Sequence, residues 1–145
     1  MTIHSKGRRE SEVSAAIQAY LSTRTDLFWW RANTQAGVAR SGQYMRSGVK
    51  GQADIQGVQP RLHNVLVVRN DQRAPATWIY GQFFAIEVKR EKGGKLSEDQ
   101  RRWGENVANH GGIYIVARSV RDVAEALGPE LAKVDKVTKP RVYPR

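Results

Sequence analysis

The chain contains no cysteine. Disulfide frameworks, thiolate zinc sites, iron–sulfur clusters and cysteine catalysis are thereby excluded, and an intracellular, cytoplasmic setting is the natural expectation. Metal binding stays open through oxygen ligands. Long apolar runs are missing too, the longest being short pieces such as FFAI and IYIV, far below the roughly 18 residues of a bilayer span. No membrane contact is expected. The N-terminal MTIHSKGRRESE is basic but has no apolar stretch behind it, so it does not read as a secretory signal. Acid is the third scarcity: 14 Asp and Glu stand against 24 Lys and Arg, leaving a net charge of +10.

What is present is enough for one folded domain. Of 145 residues, 40% are hydrophobic, including four Trp, which is too much apolar surface for a disordered basic tail. The charge excess points to a polyanion, for an intracellular chain most commonly nucleic acid. A ribosome-associated or merely solubilised basic domain is the blander alternative. Acids are scarcest in mid-chain, so Asp54, Asp71, Glu87 and Glu91 need a reason to be there.

Periodicity supplies the elements. Val13, Ala16, Ile17, Tyr20 and Leu21 recur at helical spacing and predict an amphipathic helix over 10–22. Residues 27–30 (LFWW) read as a short aromatic strand, and 33–51, rich in Gly, Ser and basic residues, as a mobile basic loop. Strands are expected at 53–58 and 65–68, with 69–77 (RNDQRAPAT) as a polar turn or loop. The strongest strand is 83–89 (FFAIEVK), which alternates Phe84, Ile86 and Val88 with Ala85, Glu87 and Lys89. Ser97 and Gln100 form a capping box that opens a helix to about Asn109. A strand at 113–117 and a helix from Ser119 to a stop at Gly128 follow. The class is α/β around one mixed sheet, with residues 1–128 as the domain and 129–145 as a basic, Pro-containing tail.

Within that order, Glu87 and Lys89 share one face of a strand whose other face is apolar. Burying both costs stability unless they are paired or serve a ligand. Asp54 follows a Gly-rich turn at the start of a neighbouring strand, where it can converge with Glu87 on a hard divalent cation, Mg²⁺ or Mn²⁺. The Val88 carbonyl could add an oxygen, and Lys89 would place positive charge where a phosphoryl transition state gains negative charge. Arg31, Arg40, Arg46 and Lys50 on one side in sequence, and Arg90, Lys92 and Lys95 on the other, are candidate phosphate contacts. His4, His63 and His110 are too scattered for a zinc site. Trp29, Trp30 and Trp103 fall on periodic apolar positions and are expected in the core.

The stretches ESEVSAAIQAYL, GVKGQAD (Gly48, Gly51, Asp54), IEVKREKGGKLSEDQRRW and GGIYIVARSVRDV together resemble the virus-type replication-repair nuclease (VRR-NUC) domain, a branch of the PD-(D/E)XK nucleases. That resemblance implies a restriction-endonuclease-like fold and metal-dependent cleavage of DNA. It implies Asp54, Glu87 and the Val88 carbonyl as metal ligands and Lys89 as the catalytic lysine. Glu12 matches the acid such nucleases carry on their first helix, and Gln100 the Gln after the GK-x-S segment. Ala53 stands where the superfamily name has Pro. The separation of Asp54 from Glu87 is longer than a tight hairpin needs, so 60–81 reads as an inserted excursion with a strand of its own. Stand-alone members resemble Holliday-junction resolvases and act as homodimers, which implies a dimer cutting branched or four-way DNA in a bacterial or phage setting. A non-catalytic nucleic-acid-binding module and a restriction-type endonuclease are the alternatives.

Overall fold

The computed structural model describes residues 7–32, 36–38, 44–46 and 48–131, with 36–38 and 44–46 as backbone. The elements are α1 (Glu10–Thr23), β1 (Phe28–Arg31), β2 (Ala36–Val38), β3 (Tyr44–Arg46), β4 (Ile55–Arg69), β5 (Gln72–Val88), α2 (Glu98–Asn109), β6 (Ile113–Ala117) and α3 (Val120–Leu127). Four strands form one sheet in the order β1-β4-β5-β6, antiparallel except for the β5–β6 pair. The parallel pair follows from α2, which carries the chain back across the sheet between β5 and β6. The result is the α/β class with a mixed sheet flanked by helices.

One face of the sheet carries the core. Val13, Ile17 and Leu21 line one side of α1 and Val123 and Leu127 one side of α3, and they bury Ile55, Phe84, Ile86, Val88, Ile115 and Ala117. The opposite face is covered in part by α2, where Trp103 meets Phe83 and Tyr114 edge-on at centroid distances of 6.5 and 6.0 Å. Gly104 makes that approach possible, since a Cβ there would lie 2.3 Å from the Tyr114 ring. At the far end of α1, the buried Arg24 forms an ion pair with Asp26 at 2.8 Å and donates to the Gly128 carbonyl at 2.9 Å. This pins the end of α3 to the end of α1.

Three expectations change. Residues 53–58 and 65–68 are not two strands but parts of β4, and 69–77 is not a loop. The turn is only Asn70 and Asp71, both at positive φ (50° and 59°), which is the two-residue I′ geometry that suits strand twist and that Asn and Asp tolerate. The excursion 60–81 is therefore a continuation of the β4–β5 hairpin beyond the sheet. Pro60 and Pro75 do not interrupt it. Counting from the closing pair Arg69↔Gln72, both prolines fall in non-hydrogen-bonded pairs, opposite Gly81 and Leu66, where no ladder N–H is required.

The second change is that the segment expected as a loop over 33–51 contains the small β2–β3 hairpin. The third concerns Trp30. Trp29 packs against the core, but Trp30, one residue on, is 38% exposed on the other face of β1 and lies against Phe28 at 5.5 Å. The basic tail beyond Leu131 lies outside the described residues.

Candidate active site

Asp54 sits just before β4, fixed at both ends. Its carbonyl accepts from the Ala32 N–H at 2.9 Å, and its Oδ2 accepts from the Val88 N–H at 2.7 Å. The second bond brings the carboxylate to the end of β5, beside Glu87. The turn before it is docked on α2: Gly51 has φ +78°, and a Cβ there would lie 2.2 Å from the Asp99 carbonyl oxygen. Lys50 adds an ion pair to Asp99 at 2.7 Å. Ala53, where the superfamily name has Pro, is wholly buried.

Glu87 and Lys89 lie on the α2 face of β5, only 2% and 8% exposed. Lys89 Nζ is 2.9 Å from Glu87 Oε1 and donates to Gln100 Oε1 at 3.1 Å. Gln100 Nε2 donates to the same Glu87 oxygen. At the helix start, Gln100 Oε1 also accepts from the Ser97 N–H at 2.9 Å, while Ser97 Oγ accepts from the Gln100 N–H at 3.2 Å. Gln100 thus closes the capping box and braces the Glu87–Lys89 pair with one amide.

The remaining oxygen, Glu87 Oε2, is buried and has no hydrogen-bond partner among the described residues. Leaving such an atom unpaired costs about 1–3 kcal/mol, more when it is charged. Burial pushes the Glu87 carboxyl up to about 7; the Lys89 hydrogen bond opposes this, while the charges of Asp54 and Glu10 reinforce it. Burial thus makes the Glu87 carboxylate costly to ionise unless a further positive partner reaches it.

A hard divalent cation fits that donor set. Glu87 Oε2, the Asp54 carboxylate and the Val88 carbonyl are oxygen donors of the kind Mg²⁺ and Mn²⁺ take, with water completing the shell. Among the described residues no three Asp, Glu, His or Cys side chains cluster as a metal site, so only two carboxylates are on hand. Glu12 is not brought to them. Its Oε2 caps the start of α1 by accepting from the Arg9 N–H at 2.7 Å, and Glu10, not Glu12, is the helix acid whose field reaches Glu87.

Of the basic candidates, Arg31, Arg90, Lys92 and Lys95 are exposed and Lys50 is engaged with Asp99. Arg46 lies in β3, and Arg40 falls outside the described residues. Arg118 was not foreseen. Its guanidinium donates to the carbonyls of Arg90 at 3.0 Å and Gly94 at 2.7 Å, and also to Gly93, clamping the loop that follows Lys89. Tyr114 was missed as well: its hydroxyl donates to the Gln100 carbonyl at 3.2 Å. Burial, together with the charges of Glu87 and Asp54, pushes its ionisation up and keeps it neutral. Alternation along 113–117 would have signalled Tyr114, since it pairs with Ala85 on the Glu87 face; nothing in sequence marks Arg118.

No curated protein and no solved structure matches the chain. Residues 4–121 match the VRR-NUC domain, a nuclease domain of the PD-(D/E)XK type. That span takes in α1, the Asp54 turn, β5 with Glu87 and Lys89, and the α2 helix that carries Gln100. The protein belongs to the VRR-NUC family.

Proposed function

We propose that the protein is a divalent-metal-dependent DNA endonuclease that cuts branched DNA, such as a four-way junction, as a homodimer. The observation that carries the metal-dependent part is the unpartnered, buried Oε2 of Glu87 beside Asp54. A module that only binds DNA has no use for two carboxylates aimed at phosphate. When bound, the cation supplies a polarised water and neutralises charge on the scissile phosphate.

The chain's own residues do the rest. Glu87, Asp54 and the Val88 carbonyl hold the cation. Lys89, braced by Glu87 Oε1 and Gln100 Oε1, presents its ammonium to the phosphate oxygen that gains charge in the transition state. Gln100 fixes the orientation of both partners, so that little reorganisation is needed at the moment of reaction. The branched-DNA and dimer elements are supported by the family resemblance and by symmetry, since paired cuts across a junction need two sites related by a two-fold axis.

The test is a labelled panel of linear, flapped, nicked and four-way DNA with Mg²⁺ or Mn²⁺, wild type beside Lys89→Ala and Asp54→Ala. Cleavage by wild type alone is expected, strongest on the four-way substrate. Equal cutting by the variants would remove the site assignment, and base-specific cutting of linear duplex would favour the restriction-type reading.

A further inference from the structure

Residues 60–81 take no part in the chemistry above. Beyond Val58 and Phe84 the two strands of this arm have no third partner strand among the described residues: β1 pairs with β4 only as far as Val58, and β6 with β5 only from Phe84. A two-stranded hairpin alone is marginal in water. This one nevertheless exposes Leu62, Leu66, Val68 and Ile79 on one face and Trp78 and Tyr80 on the other. Exposed large apolar side chains on both faces of one arm mark a contact with a partner.

Charge decides which partner. The arm holds Arg61, His63, Arg69 and Arg73 against the single acid Asp71. A second copy meeting it symmetrically would bring two net-positive arms together. Pro60 and Pro75, having no N–H, interrupt both free edges, which also disfavours strand addition. A polyanion is complementary instead. On one face of the ladder, either side of the Leu62↔Ile79 rung, Arg61 stands opposite Tyr80 and His63 opposite Trp78, with Tyr80 and Trp78 49% and 64% exposed. Hydrogen-bond donors set beside exposed rings are the chemistry that binds phosphate and base together, and a two-stranded ribbon has the width of the DNA major groove.

We propose that residues 60–81 form a nucleic-acid-binding arm that grips the flank of the substrate away from the cut, through Trp78, Tyr80 and Arg69 on one face of the ribbon and Arg73, next to the turn, on the other. The proposal rests on the nuclease reading for the position of the cut. Because β4 and β5 run unbroken from the site to the tip, the spacing is set by strand length. At about 3.3 Å per residue, Trp78 lies about 30 Å from Glu87 and the turn about 50 Å. At about 3.4 Å per base pair, the arm reaches DNA roughly 9–15 base pairs from the scissile phosphate.

The experiment measures DNA binding by fluorescence anisotropy in EDTA, with flanks of six or twenty base pairs and with twenty-nucleotide single-stranded flanks. Two variants are used, Trp78→Ala/Tyr80→Ala and Arg69→Glu/Arg73→Glu, each checked for an unchanged thermal midpoint of the body. On long flanks the aromatic variant should lose affinity about tenfold or more, and the charge variant should flatten the salt dependence by about two phosphate equivalents. On six-base-pair flanks both should match wild type. A loss confined to single-stranded flanks would assign the arm to unpaired bases, one confined to duplex flanks to groove and backbone. Equal affinity on every flank, or an equal loss on short and long ones, overturns the proposal. So does conversion of a dimer to a monomer with DNA affinity per site unchanged, which would make the arm a contact for a second copy. If wild type cuts nothing but the flank-length dependence persists, the nuclease reading fails and the arm stands.

Discussion

The two ends of the β4–β5 ribbon invert the usual rule in opposite senses. At the site end, Glu87 and Lys89 are buried where hydrophobic residues are normally found. At the arm end, leucine, valine and tryptophan stand in water where charge is normally found. The same pair of strands is continuous between them, so neither reversal is a matter of disorder or a missing element. Each is a local departure from what stability alone selects, and each coincides with a place where a ligand would restore the balance: a cation at one end, a nucleic acid at the other.

The contrast can be broken most forcefully at Lys89. Lys89→Ala should lower the cleavage rate by a factor on the order of 10² to 10³, as removal of a group aimed at developing charge does, while DNA binding measured by anisotropy stays about the same. If binding falls as far as cleavage, the site end is a gripping surface like the arm, and the comparison dissolves.

The next effect is on stability and its pH dependence. Glu87 titrates at about 7 in the fold, above its ordinary 4.5, chiefly because it is buried. Between these values the folded state holds a proton that the unfolded chain has released, so stability falls as pH rises through that window and levels off above it, by a total on the order of 3 kcal/mol. Thermal melts without metal should show the decline. Mg²⁺ or Mn²⁺ should offset it increasingly above pH 7, and Glu87→Gln should abolish it. Asp26 works in a separate, acid range. Although burial opposes it, the Arg24 pairing holds Asp26 below its ordinary value, so its contribution is present above about pH 4 and lost only as pH falls below that.

The smallest expected effect is at the other end. Replacing residues 62–79 with Asn-Gly would close the hairpin on the pair Arg61↔Tyr80, a hydrogen-bonded pair suited to a two-residue turn. The core lies wholly outside the removed segment, so the melting midpoint should move by no more than a few degrees. A large loss would mean the arm supports the body, and its exposed apolar surface would then need a structural explanation.

How much of this was legible in the sequence depended on how local each signal was. The Glu-x-Lys alternation, the Ser97–Gln100 capping box and the apolar stripe of α1 are short-range patterns, and all three appear as read. The arm differs from expectation because the polar run 69–77 reads as a loop, whereas only register shows that it pairs and that its proline falls where the ladder owes no N–H. Asn70-Asp71 did carry the turn signal, but within a polar run it looked like one loop residue among many. Glu12 is a site candidate by family correspondence; in the fold its side chain answers to the nearer demand of its own helix terminus. Arg118 clamps a loop some 25 residues earlier in the chain, and no local pattern encodes such a contact.

The absence of a side chain at Gly51 has a kinetic consequence. With that turn pressed on the backbone of Asp99 and Gln100, the segment that delivers Asp54 and the helix that delivers Gln100 cannot separate one at a time. They should open as one cooperative unit, so that the Val88 amide, bonded to Asp54, and the Gln100 amide, bonded to Ser97, exchange their protons with solvent through a common opening event. An assembly of that kind exposes its lysine and carboxylates to water together or not at all.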